Sequence, residues 1–286
     1  MFGADFDPNS AIIVNLQDDP QLLDILPPDL RKKILQQLQP EYPTKKACEL
    51  PKDKIKYNYS MVNCNQDLNI LTKKLKKSKI KNYGMLLWGV SGSGKTYYAR
   101  WLAQELKMPI IKKRASDLID KWVGQTEQNI RNAFNEAKEH KAILVFDEAD
   151  SFLYDRTDSN QDHQASKVNE ILVCMEEHPY PFIMTTNLKQ KIDKAALRRF
   201  IFKIKFEYMT IPNIVAGVKN YFGKRFKLTE TQLKELKYLT AGDFKTAKTK
   251  MDILDNGEYT NELIFKYLKL EQTEKEIFEG SPTINI

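Results

Sequence analysis

Cysteine is scarce in this sequence: three in 286 residues, at Cys48, Cys64 and Cys174, widely spaced and without a CxxC pair. An odd, scattered set supplies neither a disulfide framework nor a zinc site, and it fits a reducing compartment. Histidine is as rare, and His140, His163 and His178 are spaced as no metal motif. No apolar run approaches the ~18 residues that a membrane span requires. The opening MFGADFDPNS lacks the basic-then-apolar order of a secretion signal. The expectation is a cytoplasmic protein with no membrane partner.

Nor does charge of one sign dominate. Lys plus Arg number 45 against 38 Asp plus Glu, a net +7 that permits nucleic acid or an acidic surface as partner without demanding either. Hydrophobic residues at 42% and charged residues at 29% are ordinary for a globular chain and argue against wholesale disorder. No internal repeat or low-complexity tract appears.

Proline is present but confined: seven of twelve fall by Pro51, so only short helices fit there. Asp19-Pro20 reads as an N-cap followed by proline at the first helical position, and Leu30, Ile34 and Leu38 mark a second short helix. Residues 1–52 read as a proline-rich arm, either packed on the main domain or docking a partner. From Tyr83, apolar strands alternate with helical faces. The strand candidates are Tyr83–Trp88, Met108–Ile111, Ala142–Phe146, Phe182–Thr185 and Phe200–Phe206, and Ile130/Phe134/Ala137 and Val168/Ile171/Leu172/Met175 recur at helical spacing. That order predicts an α/β domain over 53–207, a parallel sheet flanked by helices. Beyond Ile211 the strands stop. Ile214/Val218, a capping box at Thr229 and Gln232, Phe244/Ala247/Met251 and Ile264/Leu268 predict a small all-helical lid over 208–271, with 272–286 as a frayed tail.

The chemistry concentrates at Gly89-Val90-Ser91-Gly92-Ser93-Gly94-Lys95-Thr96, a full G-x-x-x-x-G-K-[ST] that follows a strand and opens a helical pattern. Its glycines let backbone N–H groups converge on phosphates, beside the positive end of the helix dipole. Lys95 is placed to reach the β- and γ-phosphates of ATP, and the Thr96 hydroxyl to join the Mg²⁺ shell. A buried strand, AILVF, then ends in Asp147-Glu148. Asp147 suits the metal shell at a strand's carboxyl end, and Glu148 suits a general base for water.

Asp147-Glu148-Ala149-Asp150 also spells the box of a helicase class. Such helicases use two α/β domains of about 150 residues each, and the 136 residues that follow Asp150 in this 286-residue chain, the last part of them helical, are not expected to supply the second.

The order of P-loop, Lys121-Trp122-Val123-Gly124, DEAD, Thr186-Asn187, Ile192-Asp193, Leu197-Arg198-Arg199-Phe200 and Ala241-Gly242-Asp243-Phe244 resembles the AAA branch of the AAA+ ATPases, from Tyr83 to Leu254. The run Lys113 to Ile119 is most similar to stand-alone bacterial members. The resemblance implies a P-loop NTPase fold with a helical lid, Mg²⁺-dependent ATP hydrolysis, and assembly into a ring, usually of six. It implies Asn187 as sensor 1, Arg198 or Arg199 as the finger reaching a neighbour's γ-phosphate, and Gly242 as the small residue beside the adenosine. Members more often carry a further arginine after a glycine where this chain enters Phe200-Ile201-Phe202, which leaves the choice of arginine open. No sensor-2 arginine is present, and only Lys245 or Lys248 stands near its place. Trp122 resembles the pore-loop aromatic that grips an unfolded polypeptide, and it also suits a loop residue capping the core.

The favoured target is therefore a protein client. Six lysines in the nine positions Lys73–Lys81 keep a nucleic-acid partner open, though the solvated face of a helix is the favoured explanation. A third expectation is a nucleotide-state switch that docks a partner through the arm and threads nothing.

Overall fold

The computed structural model describes residues 55–119, 124–150, 161–187 and 192–279. The chain divides into two units, Met1–Ala47 and Cys48–Ile286, and every described residue belongs to the second. The helices expected of the arm lie outside the described residues.

The elements run β1 (Asn63–Cys64), α1 (Leu68–Lys77), β2 (Gly84–Gly89), α2 (Lys95–Leu106), β3 (Ile110–Arg114), α3 (Gln125–Glu139), β4 (Ile143–Asp147), α4 (Gln161–Glu177), β5 (Phe182–Thr186), α5 (Lys194–Arg199) and β6 (Phe200–Glu207). The lid follows as α6 (Ile211–Tyr221), α7 (Glu230–Glu235), α8 (Ala241–Leu254) and α9 (Asn261–Glu279).

Six strands form one sheet in the order β1-β6-β2-β5-β4-β3. All neighbours are parallel except β1, which runs antiparallel to β6 with Cys64 opposite Phe206. The pattern did not announce β1, because two half-buried residues carry no period. The sheet is covered on both faces, so its inner strands alternate between two cores. Leu144, Phe146, Phe182 and Met184 pack against the α3 and α4 side, while Ile143, Val145, Ile183, Met85 and Leu87 pack against the α1 and α2 side.

β3 extends beyond the apolar run Met108–Ile111 that predicted it and includes Lys112, Lys113 and Arg114. It is one of the two edge strands, where backbone pairing with β4 continues after the need for apolar side chains has ended.

Local chemistry explains the helix starts. Asp193 caps α5 by accepting from the N–H groups of Ala195 and Ala196, and the expected capping box at Thr229 and Gln232 opens α7. A similar box at Thr240 and Asp243 opens α8. The lid has its own core around Ile214, Phe244, Met251 and Leu268. The frayed tail expected from 272 is corrected: α9 runs on to Glu279. Gln272 is buried there, its Oε1 accepting from Lys237 N at 2.7 Å, and further on Lys275 pairs with Asp243 at 2.5 Å and Glu274 with Lys250 at 3.1 Å, tertiary contacts that tie the extra turns.

Candidate active site

The carboxyl ends of β2, β4 and β5 meet at one cleft of about 280 Å³, lined by P-loop residues together with Asp147, Glu148 and Asn187. In an open α/β sheet this is where ligands bind. β2 delivers its chain into the loop at Gly89 (φ +119°), where an added Cβ would lie 2.0 Å from the Phe206 carbonyl oxygen, so only glycine fits. Gly92 and Gly94 also take positive φ, and Gly94 caps the twelve-residue α2 with its amino end at the cleft.

Lys95 is the first residue of α2 and only 7% exposed. Its Nζ donates to Gly89 O (2.8 Å), Val90 O (2.7 Å) and Asn187 Oδ1 (2.9 Å), which places the β5 asparagine against the P-loop lysine. Burial lowers the Lys95 ammonium to about 8, against the upward pull of the Asp147 and Asp150 carboxylates.

Asp147 ends β4 between three donors. Thr96 Oγ1 and Thr185 Oγ1 both donate to its Oδ1, at 2.7 and 2.6 Å, and the Lys112 ammonium lies 2.6 Å from Oδ2. Burial raises this carboxyl, but the three donors outweigh it and hold it below its ordinary value. An ionised carboxylate beside a hydroxyl is a pair of hard oxygen donors, the set that suits Mg²⁺.

Glu148 is exposed and takes φ +56°, a conformation uncommon for a residue with a side chain. β5 holds that turn. Thr185 Oγ1 accepts from Glu148 N at 3.2 Å, the Thr185 carbonyl accepts from Ala149 N at 2.9 Å, and Thr186 Oγ1 donates to Asp150. The sequence pattern singled out Asn187 with Thr186 beside it and gave neither threonine before Asn187 a role. Their signal was a polar pair ending an otherwise apolar strand.

The two arginines have different surroundings at the end of α5. Arg199 bonds Glu176 Oε1 through Nη2 at 2.6 Å and the Ala195 carbonyl through Nη1 at 2.9 Å. Arg198 is exposed. Gly242 meets the P-loop itself, its N–H donating to Gly92 O at 3.0 Å; a Cβ there would lie 3.3 Å from that glycine's Cα. Lys248 is engaged with Asp252 (2.9 Å) and Tyr259 within the lid. Trp122 and Lys121 lie outside the described residues.

Residues 85–208 match the family model described as the ATPase family associated with various cellular activities (AAA). Among similar proteins, an ATPase-like fidgetin of Schizosaccharomyces pombe is 34% identical over 56% of this chain and 27% of its own length. An uncharacterized AAA family ATPase of Sinorhizobium fredii is 34% identical over 41% of this chain and 36% of its own length. The ATPase histone chaperone YTA7 of Saccharomyces cerevisiae is 32% identical over 53% of this chain and 11% of its own length. This chain thus spans well under half the length of each. The match begins on β2 and ends just beyond β6, so it takes in every strand that contributes to the cleft, and this α/β region is an AAA domain similar to those of AAA family ATPases.

Proposed function

We propose that the chain binds Mg·ATP in this cleft and hydrolyses it, working as a ring that remodels or threads a protein client. The observation that carries the reading is the convergence of Lys95, Thr96, Asp147, Glu148 and Asn187 on one cleft. The P-loop N–H groups and Lys95 bind the phosphates. Thr96 and Asp147 would hold Mg²⁺, which when bound neutralises charge on the phosphate oxygens. Glu148, exposed at the cleft rim, accepts the proton of the attacking water, and Asn187 orients that water.

Arg198 acts as the finger toward a neighbouring copy, where a planar cation stabilises charge on the transferring phosphoryl group. Its exposure supports this, whereas Arg199 is held by Glu176. A protein client is supported by the relative whose name is histone chaperone. Trp122 grips that client in the central channel. No helix among the described residues is long and apolar enough to cross a membrane.

The second reading, a nucleic-acid partner, draws on α1, where Lys73, Lys74, Lys76 and Lys77 are exposed. ATP turnover by the purified chain, alone, with an unfolded polypeptide and with duplex DNA, tests both. Stimulation by polypeptide, lost in Trp122→Ala, supports the first reading, and stimulation by DNA alone supports the second. Turnover that neither ligand alters refers the activity to a partner-docking switch.

A further inference from the structure

Two lysines in succession, Lys112 and Lys113, leave β3 on opposite faces of the sheet. Lys113 is in register with Phe146, and its ammonium lies 2.7 Å from Glu136 Oε2 on α3, a tie between strand and covering helix. Lys112 is in register with Val145, which shares its face with Asp147 two residues on. From there its Nζ lies 2.6 Å from Asp147 Oδ2, with the lysine side chain 38% exposed and the aspartate 15%. Nothing in the P-loop or DEAD patterns calls for a lysine at this place.

The other oxygen of Asp147 already accepts from Thr96 and Thr185. Both threonine bonds orient the carboxylate but bring no charge, whereas Lys112 brings a full positive charge to the oxygen that remains. A divalent cation at Thr96 and Asp147 therefore meets a resident cation on the same carboxylate. Like charges at such range repel, and partial exposure reduces the repulsion without abolishing it.

We propose that Lys112 is a built-in counter-cation for Asp147, holding the carboxylate in place when no metal is bound and weakening divalent-cation binding when one arrives. This rests on the reading of Asp147 as part of the Mg²⁺ site. Lys112 is a positioning residue here; it need touch neither the phosphates nor the attacking water.

The experiment measures the affinity of the full chain for a fluorescent ADP analogue in EDTA and in Mg²⁺, together with the melting temperature. The ratio of the two affinities reports how strongly metal and nucleotide support each other. Lys112→Met keeps the apolar stem and removes the charge. It is expected to leave the EDTA affinity within about twofold and to tighten the Mg²⁺ affinity about tenfold, while Lys112→Arg stays close to the parent. Lys113→Met, which removes the tie on the other face, should lower the melting temperature and leave the ratio unchanged.

A fall in the EDTA affinity of Lys112→Met means that the lysine binds phosphate directly, and overturns the inference. An unchanged ratio with a lowered melting temperature makes the pair purely structural, and overturns it too. If Lys112→Met does not fold, Lys112→Gln gives the same comparison. A parent chain that binds no ADP analogue under either condition removes the nucleotide-site reading, and the inference falls with it.

Discussion

Thr185 Oγ1 stands 2.6 Å from Asp147 Oδ1, donating its hydroxyl hydrogen there while accepting the N–H of Glu148 on its other side. One hydroxyl on β5 thus fixes both acids of the neighbouring strand, the second of them in a left-handed backbone conformation. Thr185→Val keeps the shape but removes the acceptor of the Glu148 N–H and one of the two hydroxyl donors to Asp147 Oδ1, a loss of about 1–3 kcal/mol. The expected outcome is a lower melting temperature and an ATP turnover reduced at least about tenfold, since a loosened Glu148 misplaces its proton acceptor. Thr185→Ser should restore most of both. Steady-state kinetics beside thermal melts check it, and undiminished turnover in the valine variant would show that Glu148 holds its place without this bond.

Lys95 is a cation that the fold buries at a cost. Its depressed value of about 8 means that the native state disfavours the charged form. Lys95→Met should therefore melt no lower than the parent while Mg·ATP binding is lost. Calorimetric titration reads the affinity, and persistence of parental affinity would sink the P-loop assignment.

The arginines should separate cleanly. If Arg198 serves the adjacent copy's ATP as proposed, Arg198→Ala is expected to keep the melting temperature and nucleotide affinity but lower turnover. Mixing it with Lys95→Met protein should return part of the activity at mixed interfaces. Arg199→Ala loses a partly exposed ion pair with Glu176 and should lower stability by no more than about 1 kcal/mol. Full turnover by monomeric Arg198→Ala protein at every concentration would refute the ring.

His178 makes acid sensitivity measurable away from the cleft. It is 5% exposed, packed edge-on to Phe134 at 5.2 Å, and its Nε2 has no hydrogen-bond partner among the described residues. Burial, then the nearby Lys138 charge, lowers it from 6.5 to about 4. As pH falls below 6.5 the unfolded chain takes up a proton that the folded chain refuses. The stability present above 6.5 is therefore lost progressively towards 4, by up to about 3 kcal/mol. Melting temperatures from pH 7 to pH 5 should fall more steeply for the parent than for His178→Phe, and parallel curves would assign the acid loss to other groups.

The sequence by itself determined the fold class and the heart of the site. G-x-x-x-x-G-K-[ST] after a strand leaves its glycines and lysine one workable arrangement, and the short, β-branched AILVF run before Asp147-Glu148 reads as a strand buried on both faces. Both signals are local, so spacing along the chain carries them. What the tertiary structure decided depends on neighbours distant in sequence. Asn187 meets Lys95 because β5 lies beside β2, and Lys112 meets Asp147 because β3 lies beside β4. Arg199 is distinguished from Arg198 by Glu176, and the turns of α9 from Gln272 onward are tied by bonds from Gln272 to Lys237, Lys275 to Asp243 and Glu274 to Lys250. No period or motif encodes such pairings, since each depends on strand order and on which face a side chain leaves.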